Sequence, residues 1–564
     1  MFRLSATFLG LIYFSNSIQA AAIPIASGSH WYTGRNNNLE WKDCSRSNRP
    51  GRECTRVEVP LDWHDDAAGK ASLFVARYPA TNQPKLGTVF INPGGQVSDY
   101  VMRYLRLLST QKSGYSGADA VLGGGDIFMQ QTGGFYDIVR NFTSQNDLDD
   151  FYAQVGQVDD YLQRFGKQCL ATNADALKHV GTAATVRDMV AIHDILEGPD
   201  KPVNFWGLSY GTVLGIYFVN MFPNRVGRVV LDAVVDPKDW ANRPAHKLST
   251  VVGNAVLATD ETFDGFAKEC VKAGAPRCAI AGQNATVASI RQWTYGLINA
   301  AYDYRRKIGP LSVLTSSTIR AILFVRLYDP QDWGNMAQDM LNLKTALDDP
   351  NHTNLTETVL KWVGTVAGNA AGFQDIKIEP RQEPDSNQTT PIVNYAFDAI
   401  SCSDAQDSDD TTTKEVFDYV VNVTRHVSPM FGPVGIPRLS RVRCHRWPVR
   451  AAERYAGPWN KKLSNPILTI GNEADPATPY INAKNVADAL GSSAVFLKRA
   501  GYGHSSLSMS SNCRFQLFLY LCRSLTSSDS TISILQRYFV HNELPEQGKF
   551  CETSTQLFDA AVTG

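Results

Sequence analysis

Short apolar runs rich in β-branched residues recur along the first part of the chain, each bounded by turn-forming residues. Runs of this length and composition predict β-strands. They lie at 56–61, 72–78, 87–92, 135–139, 203–207 and 226–234. Between them, TAATVRDMVAIHDIL at 182–196 repeats its apolar residues at helical spacing. This alternation of strands and helices predicts an α/β fold with a largely parallel sheet flanked by helices.

The alternation stops after Asp236 and resumes at the strand-like runs 466–471 and 494–500. The intervening segment combines helical patterns with loops rich in Pro, Asp, Ser and Thr. A sheet core interrupted by a large, mainly helical inserted cap is the simplest account. We therefore predict a first core part at 28–240, the cap at 241–463 and a second core part at 464–564.

The stretch NFWGLSYGTVLG places a serine between two glycines, where a strand pattern ends and a helix pattern begins. A glycine-x-serine-x-glycine match alone is weak, because glycine and serine are common residues. The strand-to-helix context, however, is that of a nucleophile elbow. Gly207 and Gly211 leave room for the turn, Ser209 is the predicted nucleophile, and the N–H of Tyr210 is a predicted donor to the oxyanion.

A serine hydroxyl becomes a strong nucleophile when a histidine takes its proton and a carboxylate orients that histidine. In an α/β-hydrolase the acid and then the histidine follow the serine, each just beyond a late strand. Asp475 and His504 occupy these places. Glu473 is a rival acid, ranked lower because an Asp-Pro turn suits a rigidly held carboxylate. The second oxyanion donor is predicted in FINPGGQ, at Gly94 and Gly95. A plain Pro-Gly turn without this function would show the same sequence pattern.

Composition and charge restrict the classes of partner that this protein is expected to bind. The chain has 564 residues, 43% of them hydrophobic and 19% charged, which suits a globular protein with more than one structural unit. A formal net charge of -1 gives no overall field that would attract phosphate backbones or anionic membranes. We therefore predict no nucleic-acid or membrane partner, and serine chemistry of this kind needs no metal or organic cofactor. The oligomeric state is left open.

The first residues have the layout of a secretory signal. One positive charge precedes an apolar stretch from Leu4 to Phe14, and small residues follow up to Ala22. This layout predicts a signal peptide at 1–20 and a secreted, extracellular protein. A membrane anchor would need a longer apolar span.

Cysteines and glycosylation motifs agree with that route. Ten cysteines without a CxxC pair predict disulfides and no metal spacing. Cys44 with Cys54 and Cys270 with Cys278 are the expected local pairs, because each would close a short loop. N-glycosylation motifs lie at Asn141, Asn284, Asn351, Asn354, Asn387 and Asn422.

Taken together, the segments resemble a known family, the secreted tripeptidyl-aminopeptidase-like (TAP-like) α/β-hydrolases, which are relatives of the proline iminopeptidases. The resemblance rests on CTRVEVPLDW, INPGG, GTAATVRDM, WGLSYGTVLG, AISCSD, CHRWP, NEADPATP, GYGH and ELPEQGKFCE, and spans nearly the whole chain. It implies that Ser209, Asp475 and His504 are nucleophile, acid and base, and that 464–564 contains the TAP-like C-terminal segment. It also implies hydrolysis of peptide bonds with release of short N-terminal fragments through an acyl-enzyme.

Two segments depart from the family's pattern. The family has a WDPRGxG-like segment after the fourth strand, whereas here YDIV at 136–139 is followed by RNFTSQNDLDDFY. The glycine-rich loop reads PGGQVSDY, with fewer glycines after PGG than in the family. By resemblance, both departures lie near the predicted active site.

The substrate class is not fixed by the triad. An aminopeptidase needs a carboxylate for the free ammonium of its substrate, and Asp404 is the candidate. An acidic segment such as the one that contains Asp404, beside Cys402, is more commonly a solvated loop. The alternatives to a peptidase are an esterase or lactone hydrolase acting on a small metabolite, and a non-catalytic protein that binds ligands in the same cleft.

Overall fold

The computed structural model describes residues 39–45, 51–80, 84–94, 118–122, 142, 144–244, 251–309, 312, 314–368, 396–408, 410–432, 443–509, 531–553 and 555–558. The predicted signal peptide and the predicted strand at 135–139 lie outside the described residues. Within these ranges, no helix combines the length and the apolar character needed to cross a bilayer.

The strands are β1 (Lys42–Asp43), β2 (Glu53–Pro60), β3 (Lys70–Tyr78), β4 (Gly87–Asn92), β5 (Ala118–Leu122), β6 (Val203–Leu208), β7 (Val226–Asp232), β8 (Ile467–Ala474), β9 (Ala494–Tyr502) and β10 (Lys549–Cys551). In the described part of the chain they form one sheet in the order β1-β2-β3-β5-β4-β6-β7-β8-β9-β10. The pairs β1 with β2, β2 with β3, and β3 with β5 are antiparallel, and all later neighbours are parallel. The predicted α/β fold with a mostly parallel sheet is confirmed.

The helices are α1 (Gln145–Tyr152), α2 (Val155–Leu177), α3 (Thr182–Leu196), α4 (Tyr210–Met221), α5 (Pro237–Ala241), α6 (Val251–Ala273), α7 (Val287–Ile308), α8 (Ser316–Arg326), α9 (Trp333–Asp348), α10 (Leu355–Gly368), α11 (Ala396–Asp404), α12 (Thr413–His426), α13 (Tyr480–Leu490) and α14 (Thr531–His541). Several of them begin at side-chain caps. Thr412 and Glu415, for example, form a capping box at the start of α12.

Helices cover both faces of the sheet. Phe205 of β6 belongs to a hydrophobic cluster that includes residues of α3, α4 and α13. The next residue, Trp206, belongs to a second cluster that includes Tyr538 of α14. Neighbouring residues of a strand point to opposite faces, so β6 is buried on both sides. This explains why the sequence of a parallel strand is apolar without alternation.

The helical segment after β7 has a hydrophobic cluster of its own. Phe266 of α6 packs edge-on against Trp333 of α9, with ring centroids 5.6 Å apart, inside a cluster that runs from α6 to α12. Phe151 of α1 and Leu162 of α2 belong to the same cluster. Part of the predicted first core part therefore packs with the helices of the predicted cap. The domain boundaries themselves stay a prediction.

Three disulfides join described residues. Cys44–Cys54 and Cys270–Cys278 are formed as predicted. The third, Cys402–Cys444, links α11 to a short 3-10 turn, and the sequence did not indicate this pairing. Cys169 and Cys551 form no disulfide within the described part of the chain, and the two remaining cysteines, Cys513 and Cys522, lie outside it.

Four of the predicted glycosylation sites lie within the described ranges. The asparagines at 284, 351, 354 and 422 are all exposed, as a glycan requires. Asn141 and Asn387 lie outside the described residues. Glycosylation itself stays a prediction.

Candidate active site

Ser209 lies at the turn from β6 to α4, with φ 55° and ψ -124°. Positive φ is uncommon for a residue with a Cβ, and such backbone strain is typical of functional turns. A Cβ on Gly211 would lie 2.0 Å from the carbonyl oxygen of Asn92, and one on Gly207 would lie 2.3 Å from the carbonyl oxygen of Gly211. The Ser209 N–H donates to the carbonyl of Asp232 at 3.1 Å. The local geometry is thus that of the predicted elbow.

Asp475 and His504 lie just beyond β8 and β9, and the structure brings them together. Nδ1 of His504 lies 2.9 and 3.0 Å from the two carboxylate oxygens of Asp475. The Asp475 side chain is fully buried. Oδ1 accepts the N–H groups of Ala477 and Thr478 at 2.9 and 2.8 Å, and Oδ2 accepts the Thr478 hydroxyl at 2.8 Å. These donors satisfy the buried carboxylate and fix the direction in which it faces the imidazole.

The rival acid, Glu473, faces elsewhere. It forms an ion pair with Lys498 at 3.1 Å, and half of its side chain is exposed. The Ser209 hydroxyl makes no hydrogen bond to any described residue, so in this conformation it does not bond to His504. Catalytic hydrogen bonds often tighten only in the substrate complex. The roles assigned to Ser209, Asp475 and His504 therefore stay predictions, with the acid and the histidine already paired.

The glycine-rich loop lies directly against the elbow. A Cβ on Gly94, which has φ +86°, would lie 2.7 Å from the Cβ of Ser209 and 3.0 Å from the nitrogen of Tyr210. The loop thus lies where an oxyanion donor is needed. The N–H of Gly94, however, donates to Oδ1 of Asn92 at 2.9 Å, and Gly95 lies outside the described residues. Which N–H groups bind the oxyanion stays a prediction.

Asp404, the candidate for binding a substrate ammonium, lies at the end of α11 and is buried. Oδ1 accepts the N–H of Thr182 at 2.8 Å, and Oδ2 accepts the Thr182 hydroxyl at 2.5 Å and Nε1 of Trp240 at 2.7 Å. The Thr182 hydroxyl also lies 2.8 Å from the phenol oxygen of Tyr210, the residue after Ser209. Asp404 is therefore not part of a solvated acidic loop. Its bonds favour a role in holding Tyr210 and the start of α3, and ammonium binding stays a prediction.

The same network affects the Tyr210 phenol. Burial, followed by the nearby Asp404 carboxylate, raises the pKa of the Tyr210 phenol well above its ordinary value. The phenol therefore stays protonated and keeps its hydrogen bond with Thr182 over the whole physiological pH range.

Sequence reasoning missed Asp232, the last residue of β7. Its fully buried carboxylate accepts the N–H of Ser506 at 2.9 Å and the Ser506 hydroxyl at 2.5 Å, two residues after His504. Burial raises the pKa of Asp232 to about 6, against the lowering effect of the Ser506 hydrogen bonds. The signal in the sequence is an aspartate directly after the apolar run Val229 to Leu231, at the end of the strand. Asp232 connects the elbow to the loop that carries His504.

None of the described residues form a group of three or more His, Cys, Asp or Glu side chains that could hold a metal ion. The hydroxyl of Ser209, the paired imidazole and carboxylate of His504 and Asp475, and backbone N–H donors are the groups that acyl transfer requires.

Comparison with known families agrees with this geometry. The model of the family described as TAP-like protein matches residues 428–521, which contain Asp475 and His504. The model of the alpha/beta hydrolase fold matches residues 149–277, which contain Ser209. The two matches support a TAP-like α/β-hydrolase family for this chain. This confirms the resemblance inferred from the sequence.

Three relatives of this chain are similar to it over different shares of its length. Tripeptidyl aminopeptidase of Streptomyces lividans is 22% identical over 84% of this chain and 82% of its own. Carboxylesterase B of Mycobacterium tuberculosis is 23% identical over 78% of each chain. Serine protease Hip1 of Mycobacterium tuberculosis is 28% identical over 42% of this chain, and the match spans less than half of Hip1, 46%. These relatives support a serine hydrolase, and none of them supports the alternative of a non-catalytic binding protein.

Proposed function

We propose that this protein is an exported peptidase that releases short peptides or amino acids from free N-termini, with Ser209 as nucleophile. The observation that carries the proposal is the pairing of His504 with the buried Asp475, together with the strained elbow of Ser209. The likeness to a tripeptidyl aminopeptidase over 84% of the chain supports a peptide substrate.

The proposed reaction begins when the Ser209 oxygen attacks the carbonyl carbon of the scissile bond and its proton passes to Nε2 of His504. Asp475 accepts the Nδ1–H of the imidazole and stabilises the imidazolium that forms. The N–H of Tyr210 and N–H groups of the Gly94 and Gly95 loop stabilise the oxyanion, each by about 3 kcal/mol.

The second half of the reaction uses the same groups in reverse. His504 gives its proton to the leaving amine, the carbon–nitrogen bond breaks, and the substrate's N-terminal fragment stays attached to Ser209 as an ester. A water molecule then attacks the ester while His504 takes a proton from it. The carbon–oxygen bond to Ser209 breaks, and the Ser209 oxygen recovers its proton from His504.

Export by the secretory route is part of the proposal. The disulfides of the described residues, Cys402–Cys444 among them, are typical of proteins that fold in an oxidising compartment. The exposure of the described glycosylation motifs is consistent with the same route.

An esterase is the second candidate, because carboxylesterase B is similar over 78% of this chain. The same triad hydrolyses amides and esters, so the substrate pocket and not the triad would decide. A small metabolite ester or lactone would be the substrate in that case.

A substrate panel separates the two candidates. Purified protein and its Ser209→Ala variant are given tripeptide nitroanilides with a free amine, the same compounds with an acetylated amine, and p-nitrophenyl esters of short acids. A peptidase of the proposed kind hydrolyses the free-amine anilides, leaves the acetylated ones intact, and loses this activity in Ser209→Ala. Turnover of the esters alone would contradict the peptidase and support the esterase.

A further inference from the structure

The helical segment contacts His504 itself. Tyr328, which lies just past the end of α8, accepts the backbone N–H of His504 on its carbonyl oxygen at 3.0 Å. The ring of Tyr328 also lies against the imidazole, with centroids 4.5 Å apart and planes inclined by 56°. One residue outside the sheet core thus contacts both the backbone and the side chain of the predicted base.

The residues that follow Tyr328 hold the rest of the same loop. Nε2 of Gln331 donates to the carbonyl oxygen of Ser508 at 2.9 Å. Pro330 lies so close to Gly503 that a Cβ there would come within 2.6 Å of the proline Cδ. The contact between residues 328–331 and the loop that carries His504 therefore extends from one side of His504 to the other.

The segment that makes these contacts is itself held firmly. The Arg326 side chain is 4% exposed and pairs with Asp332 at 2.7 Å and with Asp339 at 2.5 Å. The Asp329 carboxylate accepts the N–H of Gln331 at 3.1 Å and caps a short 3-10 turn. Charge-assisted bonds of this kind fix the backbone around Tyr328.

We propose that Tyr328 is a positioning residue for His504, and that residues 328–331 set the orientation in which the imidazole transfers protons. This inference rests on the proposed function, because it takes His504 as the catalytic base. Asp475 fixes the imidazole only at Nδ1, whereas the Tyr328 ring limits tilting of the imidazole plane.

The contact also bears on the step in which the imidazole carries a charge. An aromatic ring attracts a cation over its face, and this attraction is stronger where water is excluded. The imidazolium exists during acyl transfer and not in the resting enzyme. The Tyr328 ring therefore stabilises the transition state more than the ground state, so its loss lowers kcat and leaves KM nearly unchanged.

The experiment compares Tyr328→Leu with two controls. Tyr328→Phe keeps the ring, and Tyr304→Leu removes a half-buried tyrosine that contacts a different histidine, His352, with centroids 4.8 Å apart. The readouts are kcat and KM for a substrate that the parent hydrolyses, the rate of Ser209 phosphonylation by a fluorophosphonate, and the melting temperature. Phosphonylation reports on the base because it needs deprotonation of Ser209 but no peptide binding.

We expect Tyr328→Leu to lower kcat and the phosphonylation rate by about tenfold, with KM within about twofold of the parent. Tyr328→Phe and Tyr304→Leu should stay close to the parent in kcat, KM and phosphonylation rate. A Tyr328→Leu variant with the kcat of the parent would overturn the inference. A raised KM with unchanged kcat would overturn it too, because Tyr328 would then act in substrate binding.

A second variant covers the case in which Tyr328→Leu does not fold. Gln331→Met keeps the side-chain length and removes the hydrogen bond to Ser508, and we expect kcat to fall by about threefold at constant KM. An unchanged kcat would again overturn the inference. A parent protein that neither hydrolyses any substrate nor reacts with the fluorophosphonate would contradict the proposed function instead, so the two failures are distinguishable.

Discussion

The carboxylate of Asp232 accepts both the N–H and the hydroxyl of Ser506, a residue 274 positions further along the chain. The carbonyl of Asp232 accepts the N–H of Ser209 as well. The end of β7 thus contacts the turn that carries the nucleophile and the loop that carries His504. A change at Asp232 is therefore expected to affect both.

The first prediction concerns the pH dependence of stability. Burial raises the pKa of Asp232 from 3.8 to about 6, so the folded protein binds this proton more tightly than the unfolded chain does. The contribution of Asp232 to the free energy of unfolding is then greatest below about pH 4 and falls by about 3 kcal/mol in all as the pH rises through about 6. Asp232→Asn cannot ionise and loses this dependence.

Urea denaturation of the parent and of Asp232→Asn between pH 4.5 and pH 7.5 checks this. Relative to the parent, the variant should gain stability as the pH rises. Other titrating groups cancel in the difference between the two proteins. If the free energies of unfolding of the two proteins changed in parallel with pH over this whole range, Asp232 would not titrate within it.

The second prediction separates the two roles considered for Asp404. Asp404→Ala removes a buried acceptor from the N–H of Thr182 and from Nε1 of Trp240, which should lower the free energy of unfolding by about 3 kcal/mol. Asp404→Asn keeps one acceptor oxygen and should lower the free energy of unfolding by less. Denaturation measures the stability, and the ratio of activities on free and acetylated peptides measures amine recognition. A stable variant that no longer prefers free amines would mean that Asp404 binds the substrate instead.

The third prediction tests the packing of the elbow. Gly211→Ala would place a Cβ 2.0 Å from the carbonyl oxygen of Asn92, which neither backbone can relieve without moving the turn. We expect a loss of about 3 kcal/mol of stability, together with loss of activity. Gly282→Ala is the matched control, since a Cβ there meets nothing within 4 Å. Comparable melting temperatures for the two variants would contradict this description of the elbow.

The fourth prediction compares two disulfides. Cys402 and Cys444 are 42 residues apart, whereas Cys270 and Cys278 are 8 apart. Loop-closure entropy gives about 4 kcal/mol for the longer loop and about 2.5 kcal/mol for the shorter one. Replacing both cysteines of a pair by serine should therefore cost more stability for Cys402–Cys444, as chemical denaturation would measure. The reverse order would indicate that strain or residual structure, and not loop length, decides.

The sequence predicted the elements whose pattern is local. Strand β4 and helix α3 have the predicted bounds, because turn residues delimit the first and a sustained helical period defines the second. Strand β5 was not predicted, since Ala118–Leu122 is a short run that is interrupted by an aspartate. Cys44–Cys54 was predicted because its two cysteines are close in sequence, which is not true of Cys402–Cys444.

The same distinction applies to the site. Asp475 and His504 were predictable because each follows a strand, and parallel strands present such residues at one edge of the sheet. The contacts of Asp404 with Thr182 and of Tyr328 with His504 were not predictable from the sequence. They join separate elements whose meeting depends on how the helices pack, and no local pattern marks them.

The central claim, that Ser209 is the nucleophile of a serine hydrolase, is tested most directly by reaction with a fluorophosphonate followed by peptide mass mapping. We predict one adduct per chain, on the peptide that contains Ser209. The adduct should be absent from Ser209→Ala and should form about a thousandfold more slowly in His504→Ala. An adduct on another residue, or labelling of Ser209→Ala at the rate of the parent, would contradict the assignment.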